Sequence, residues 1–324
     1  MLRRPYGFLF AAAAITLLYM AFQNSRNDGV IRRGDVSGPA TNTTVSKTPP
    51  KRTNDTIRVA SFNLDQFQEK KISDPNVTEL LLRVLRQFDV IAIQEVTARS
   101  QDFFPALCDL LNSKGAHYDY VVGPRIGRSG RTEQFAYLYD RRTIEVDRNQ
   151  LYTVEDRDQL LTFDPLVGWF RARGPKPQEA FTFSLVNVHV DASEAARELS
   201  ILDDVFFAVR SDGLDEDDVI MLGDFEASDQ KLGELGKVPH LLAVVSKQPT
   251  NVRGNAQLDN ILFDQQSTTE FTGRGGIYDF LREFNLTSEQ AQLISDHVPV
   301  WAEFSVYEGS EPGRFASRNS RTTR

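Results

Sequence analysis

From residue 57 the chain alternates short apolar runs with polar turns. "IRVASFNL" opens the series as a strand. In "SDPNVTELLLRVLRQF" the period changes to 3.6: Val77, Leu80, Leu81, Val84, Leu85 and Phe88 share one face. Ser73 or Asp74 stands at the cap position and Pro75 in the first turn, so the pattern predicts an amphipathic helix. "DVIAIQEV" reads as a short buried strand, 101–114 as a second helix ending at Gly115, and "YDYVVGP", "EQFAYLYD" and "AFTFSLVNVHV" as further strands. "SEAARELSILDDVFFAVRSDG" predicts one long helix, capped by Ser193 and stopped near Gly213. "DVIMLGDF" and "LDNILFD" are strands. So is "ISDHVPVWAEFSV", where Val298, Val300, Ala302, Phe304 and Val306 alternate with Trp301, Glu303 and Ser305. Several of these strands are almost wholly apolar and need cover on both faces. Strands outnumber helices, which predicts an α+β sandwich: two sheets packed on each other with helices outside.

The polar residues fall where the apolar runs stop. Asn63 follows "IRVASF", Glu95 follows "DVIAIQ", His189 follows "FSLVNV" and Asp224 follows "VIMLG". Asp259 opens "LDNILF", and Asp296–His297 opens "VPVWAEF". Each alone has an ordinary explanation, since a strand-end Asp often caps a turn and a single His is usually a satisfied structural residue. Six cases on independent strands are harder to dismiss, because buried charge is costly unless paired or metal-bound. If these ends share one rim, they form a carboxylate cluster with two imidazoles. Hard oxygen ligands suit Mg²⁺ or Mn²⁺, and imidazoles suit proton transfer near neutral pH.

Charge sharpens this picture. The 324 residues carry a formal net charge of −8. Residues 1–56 hold eight Lys/Arg against three Asp/Glu, and 307–324 hold four Arg against two Glu. That leaves −15 on the middle of the chain. Such a domain does not coat itself on DNA through phosphate neutralisation, and a phosphate-ester substrate would call for a metal cation to offset repulsion. The single cysteine, Cys108, excludes an intrachain disulfide and reads as a small buried apolar residue.

The ends differ from the middle. Arg3 and Arg4 precede an uncharged apolar run from Gly7 to Phe22, with no small-x-small site directly after it. Residues 1–23 therefore read as an N-terminal membrane anchor with the basic end cytoplasmic, or alternatively as a cleaved signal peptide. The expected location is membrane-anchored with an exported domain, or secreted after cleavage. Residues 24–56, rich in Ser, Thr, Asn, Pro and Gly, read as a flexible linker, 57–306 as one domain, and 307–324 as a disordered tail.

In order along the chain, "SFNLDQF", "DVIAIQEV", "LVNVHVDAS", "MLGDFEAS", "LDNILF" and "ISDHVPV" resemble the motifs of the endonuclease/exonuclease/phosphatase superfamily, most closely its deoxyribonuclease I branch. "YDYVVGPRIGRSGRTEQFAYLYD" is similar to that branch's DNA-contacting loop and following strand, and "LTSEQAQLISDHVPV" to its C-terminal segment. The likeness covers about residues 57–306. It implies a four-layer αββα sandwich with its site on one edge of the paired sheets. It also implies divalent-metal-dependent phosphodiester hydrolysis, as a DNA endonuclease of low sequence specificity with Mg²⁺ or Mn²⁺, Ca²⁺ being an alternative. Carried over by position, Glu95 is the main metal ligand and Asn63 holds metal or phosphate. His189 pairs with Glu133, His297 pairs with Asp259, and Asp224 and Asp296 complete the acidic floor. In-line hydrolysis needs a base for water and an acid for the leaving oxygen. Two imidazoles, each fixed by a carboxylate, supply both. In "RIGRSGR", Arg125, Arg128 and Arg131 would contact DNA, Arg128 being the best match to a minor-groove arginine. That contact reads groove width rather than sequence.

Three departures stand out. Where the family has Gly-Asp-Phe-Asn, this chain has Gly223-Asp224-Phe225-Glu226. An ionised Glu226 donates no hydrogen bond to a phosphate, so it is read as an extra metal ligand, against the options of being protonated or turned away. The branch's DNA-stacking Tyr aligns with Arg131, and an Arg after the metal-binding Glu aligns with Thr97. The secreted enzyme's disulfides cannot form. Two other readings stand beside the nuclease: a lipid-headgroup or inositol-phosphate phosphodiesterase or phosphatase, and a catalytically weakened DNA-binding relative.

Overall fold

The computed structural model describes residues 52–128 and 130–309, with 44–45 and 49. The predicted anchor, most of the linker and nearly all of the tail lie outside the described residues. Among the described residues, no helix is long and apolar enough to cross a membrane. In chain order the strands are β1 (Thr44–Val45), β2 (Thr56–Phe67), β3 (Val90–Val96), β4 (Tyr118–Val122), β5 (Gln134–Asp140), β6 (Ile144–Thr153) and β7 (Leu166–Ala172). They continue as β8 (Thr182–His189), β9 (Val219–Asp224), β10 (Leu241–Ala243), β11 (Asp259–Asp264), β12 (Phe271–Ile277) and β13 (Val300–Ser305). The helices are α1 (Glu69–Ser73), α2 (Pro75–Leu85), α3 (Phe103–Asn112), α4 (Ala195–Glu198), α5 (Leu202–Arg210), α6 (Phe280–Phe284) and α7 (Ser288–Gln292).

Side-chain alternation builds the layers. In β9, Ile220 and Leu222 enter the core shared by the sheets, while Val219 and Met221 pack beneath α5 with its Leu202, Val205, Phe206 and Val209. On the other side, α2 and α3 bury Leu81, Val84, Leu85, Leu107 and Leu111 against the first sheet. Among the described residues the first sheet runs β1-β12-β13-β2-β3-β5-β4, and the second β10-β11-β9-β8-β7-β6. This is the expected αββα sandwich.

Local departures have physical causes. Asp74, rather than Ser73, caps α2, accepting from the amides of Asn76 and Val77. The long helix expected over 193–213 is two, α4 and α5. Ser193 does not cap it, because its hydroxyl donates to Asp191 (2.7 Å). Buried Glu198 is held by the Thr162 amide, the Thr162 hydroxyl and the Asp191 amide. Ser200 and Ile201 then close i→i−3 bonds to Arg197 and Glu198, which tighten the chain and end α4. The last strand starts only at Val300. Residues 296–298 instead pair with the 250–252 loop, through Val252 N to Asp296 O and Val298 N to Thr250 O. Thr44–Val45, inside the segment read as a linker, form an edge strand parallel to β12. Cys108 is buried, as expected.

Polar groups fix one sheet on the other. Gln94 on β3 donates to Asn187 on β8 (2.6 Å), and Asn187 donates back to the carbonyl of Ile93 (3.1 Å). The Tyr137 hydroxyl on β5 lies 2.7 and 2.8 Å from the carbonyls of Leu166 and Leu185 in the second sheet. All three side chains are fully buried, where a lost partner is expensive. Replacing Asn187→Leu leaves one N–H of the Gln94 amide without an acceptor, the other staying on Ser61 Oγ. Urea denaturation is expected to show a loss of about 1–3 kcal/mol, and a loss below about 0.5 kcal/mol would mean the bridge does not hold the sheets.

Candidate active site

Strand register brings the polar ends together. In the second sheet His189 of β8 is the cross-strand neighbour of Asp224 on β9, and Asp224 is the neighbour of Asp259 on β11. Gly223 permits this close approach: its φ is +152°, and a Cβ there would sit 1.9 Å from the Val188 carbonyl oxygen. In the first sheet Asn63 and Gln94 are paired, and one residue further the β2–β3 and β3–β5 ladders shift register. Glu95 lies in that bulge at φ +57°, with Asp65 and Gln66 at +40° and +52°. Left-handed backbone at non-glycine residues costs of order 1 kcal/mol or more each, and it turns the Glu95 carboxylate from the ladder to the rim.

The side chains converge. The Asn63 amide nitrogen contacts Glu95 Oε1 (3.1 Å) and Asp224 Oδ2 (3.0 Å). Gln66 N donates to Glu95 Oε2, and Glu226 N to Asp224 Oδ1, both at 3.0 Å. His189 Nδ1 sits 3.0 Å from both Glu133 oxygens, and His297 Nδ1 2.9 Å from Asp259 Oδ2. With Nδ1 so engaged, each Nε2 faces the common space: His189 Nε2 is 3.9 Å from Glu95 Oε1, and His297 Nε2 is 3.6 Å from Asp224 Oδ2. Asp296 is exposed at the edge, 3.7 Å from His297 Nε2. A cleft of about 460 Å³ opens here, lined by Gln66, Glu95, Glu133, His189, Phe163, Arg131 and Glu226 among others.

The electrostatics follow from crowding. Burial alone would lower the His189 value, but Glu133, Asp224 and Glu95 raise it to about 9. For His297 burial is likewise overruled, by Asp259, Asp224 and Asp296, and the value reaches about 11. Burial first, and then Asp224, pushes Glu226 up to about 7, against the pull of the two imidazoles. Burial also raises Glu133.

The arginines of the 125–131 loop all make contacts within the protein. Arg128 folds onto Asp156 (3.3 Å) and Asp164 (3.5 Å), and Arg125 onto the Ala98 carbonyl and Gln134. Arg131 alone of the three lines the cleft, held there by buried Asp191. Several contributors carry no motif signal. Lys71 donates to the carbonyls of Leu64, Asp65 (2.7 Å) and Ile294 (2.8 Å), tying the β2 turn to the His297 loop. The Thr250 hydroxyl donates to Asp259 Oδ2 (2.7 Å), and Phe163 stacks on the His189 ring at 4.9 Å.

Residues 60–297 match the Endonuclease/Exonuclease/phosphatase family. The chain belongs to the endonuclease/exonuclease/phosphatase family. It is 27% identical to human deoxyribonuclease gamma over 75% of this chain and 84% of that protein. It is 30% identical to the pig protein deoxyribonuclease-1-like 1, over 77% and 81%. In fold it is similar to an endonuclease/exonuclease/phosphatase from Bacteroides vulgatus, with TM-score 0.51 and 15% identity over 78% of this chain and 99% of that one. A conserved protein of unknown function from Enterococcus faecalis gives the same score at 14% identity, over 76% and 98%. Family membership and these relatives make this chain a hydrolytic phosphodiesterase or nuclease of that superfamily, with acidic groups able to bind metal.

In metal-free protein both His189 and Glu226 bind protons more tightly folded than unfolded. The stability from His189 is complete below its unfolded value of about 6.5 and disappears as pH rises through about 9; that from Glu226 is lost through about 7. With chelator present, urea stability is therefore expected to fall between pH 6.5 and 9.5. His189→Gln should remove roughly 1–3 kcal/mol of that fall, and so flatten the slope. An identical slope in the variant would rule out the His189 contribution.

Proposed function

We propose that this chain is a divalent-metal-dependent DNA endonuclease of low sequence specificity, working through two His–carboxylate pairs. The observation that carries this reading is geometric. Two imidazoles, each with Nδ1 on its own buried acid, aim Nε2 at the shared Asn63–Glu95–Asp224 centre. A phosphodiester placed between them has proton acceptors and donors on opposite sides. One imidazole takes the proton of the attacking water while the other protonates the leaving oxygen, and Glu133 and Asp259 fix both tautomers. Asn63 commits both amide N–H bonds to Glu95 and Asp224, so its role is to hold these two carboxylates in place beneath the phosphate. The donor set fits a hard cation: Glu95 is partly open to the cleft, Asp296 and Glu226 flank it, and oxygen atoms of Asp224 and Asp259 lie with a His297 nitrogen within 4.8 Å of one another. Mg²⁺ or Mn²⁺, with Ca²⁺ an alternative, would be held chiefly by Glu95 and supply charge stabilisation on the phosphoryl oxygens.

The deoxyribonuclease relatives support DNA as substrate. The run Gly7–Phe22 behind Arg3 and Arg4 supports an exported domain, anchored to a membrane or released by signal cleavage. One observation favours the second reading, a phosphodiesterase or phosphatase on lipid headgroups or inositol phosphates. Arg125 and Arg128, two of the three expected DNA contacts, are engaged within the protein.

Plasmid nicking separates the readings. Nicking is expected with Mg²⁺ or Mn²⁺, absent with chelator, and reduced ~10²–10⁴-fold in His297→Ala. Headgroup release without nicking would replace the nuclease by the second reading; DNA affinity without turnover would leave a binding protein. Glu226 gives an independent check. As an extra ligand for metal its loss in Glu226→Asn shifts the Mg²⁺ or Mn²⁺ concentration needed for half-maximal rate about tenfold, a step of ~1.4 kcal/mol. An unmoved metal titration would remove Glu226 from the metal set.

A further inference from the structure

The end of the sandwich away from the active-site rim carries a second acid cluster. Asp218 directly precedes β9, whose far end is Asp224, so roughly 20 Å of strand separates it from the rim. Glu270 directly precedes β12 in the other sheet, and Glu308 follows β13. Asp218 and Glu270 are 1% and 2% exposed. One oxygen from each of the three carboxylates lies within 4.8 Å of the others.

Several oxygens here are already used. Glu270 Oε1 accepts from the Gly309 amide (2.5 Å), and Glu308 Oε2 accepts from the Thr182 amide (3.1 Å). Asp218 Oδ1 and Glu270 Oε2 are buried and have no hydrogen-bond partner among the described residues. Native proteins rarely leave such atoms unmatched, and a bound ion or water is one of the few explanations. The groups acting most strongly on Asp218 are Glu270, the Thr268 hydroxyl, Glu308 and Glu216; no Lys or Arg is among them. The same holds for Glu270 and Glu308. Burial and mutual repulsion push Asp218 up to about 9 and Glu270 up to about 7.

We propose that Asp218, Glu270 and Glu308 form a second divalent-cation site, suited to Ca²⁺, that clasps the two sheets at the end opposite the active site. The ligands are hard oxygens from three separate chain segments, and Ca²⁺ accepts six to eight such ligands in flexible geometry, with waters completing the shell. The cation supplies countercharge where the strongest charge interactions among the described residues are with other acids, and it joins β9 of one sheet to β12 and β13 of the other.

The test uses the full chain with Glu95→Gln, which weakens the active-site metal position. Thermal melts at pH 7.5 are run in chelator and in CaCl₂. A rise in Tm of roughly 5 °C or more is expected once Ca²⁺ reaches about a hundredfold over its Kd. Adding Asp218→Asn and Glu270→Gln should abolish that rise while leaving the chelator melt as high or higher, since repulsion is gone. Equilibrium dialysis with CaCl₂ should lose one ion per chain in the same variant. In an otherwise unaltered chain these two substitutions leave Mg²⁺-supported hydrolysis in place. No Ca²⁺ response in the Glu95→Gln chain, or a response that survives Asp218→Asn/Glu270→Gln, would overturn the site and leave a cluster held by protons.

Discussion

One amide holds the candidate active site together. The Asn63 side-chain nitrogen has two N–H bonds, and it meets Glu95 from the first sheet and Asp224 from the second. The carbonyl oxygen of the same side chain accepts from Asp65 N, fixing the left-handed turn after it. The Asn63 backbone carbonyl accepts from Ser295 Oγ (2.6 Å), and that oxygen in turn accepts from His297 N (3.0 Å). A carboxylate at position 63 would repel both acids, and an aliphatic side chain would leave them facing each other undonated. The position therefore demands a neutral donor–acceptor, buried and bound on every side. Its precision depends on the sheets not sliding, which is the role of the Gln94–Asn187 bridge one residue below the rim.

The second constraint is charge. Glu95, Glu133, Asp224, Glu226, Asp259 and Asp296 surround two imidazoles, with Lys71 close behind. Without a cation, the imidazoles are the main countercharge, which is why both are held protonated well past neutrality. A dication near Glu95 and Asp224 would compete with those imidazolium charges and release protons from them, as coupling of metal binding to ligand ionisation requires. The cluster is thus suited to exchange protons for metal, and Glu226, which ionises near neutrality, adds to that coupling.

Much of this was legible in the sequence because strand ends are legible. An apolar run that stops on Asn63, Glu95, His189 or Asp224, or starts from Asp259, names a rim residue whether or not the partner strand is known. The Glu133–His189 pairing came only through family resemblance, since Glu133 sits before β5 with nothing local to mark it. The apolar period across 195–209 was right about burial and wrong about continuity. Leu199, Leu202, Val205, Phe206 and Val209 are all buried, yet the backbone turns between them because Glu198 is anchored elsewhere. Asp296 and His297 were read as the start of a strand, whereas pairing with the 250–252 loop places His297 against Asp259. Strands β6, β7, β10 and β12 escaped notice; β6 is half exposed, β10 is only three residues long, and β12 contains three glycines that break any alternation.

The basic loop shows how far a charge's partners can lie from it in sequence. A run of three arginines in an acidic domain suggests a surface waiting for phosphate. The acids that meet Arg128 and Arg131 lie 28, 36 and 60 residues further along, at Asp156, Asp164 and Asp191. Charge reversal in sequence is therefore not charge reversal in space. Arg128 is largely neutralised by two carboxylates, and one of its nitrogens is buried without an acceptor. Arg131 is different: it pairs with Asp191 yet lines the cleft beside Glu226. An incoming phosphate would have to compete with Asp191 for that guanidinium, and it would do so next to a carboxyl that becomes anionic near pH 7. Anion recognition at this mouth then depends on what neutralises Glu226, which links substrate binding to the same proton-or-metal balance that governs the centre of the site.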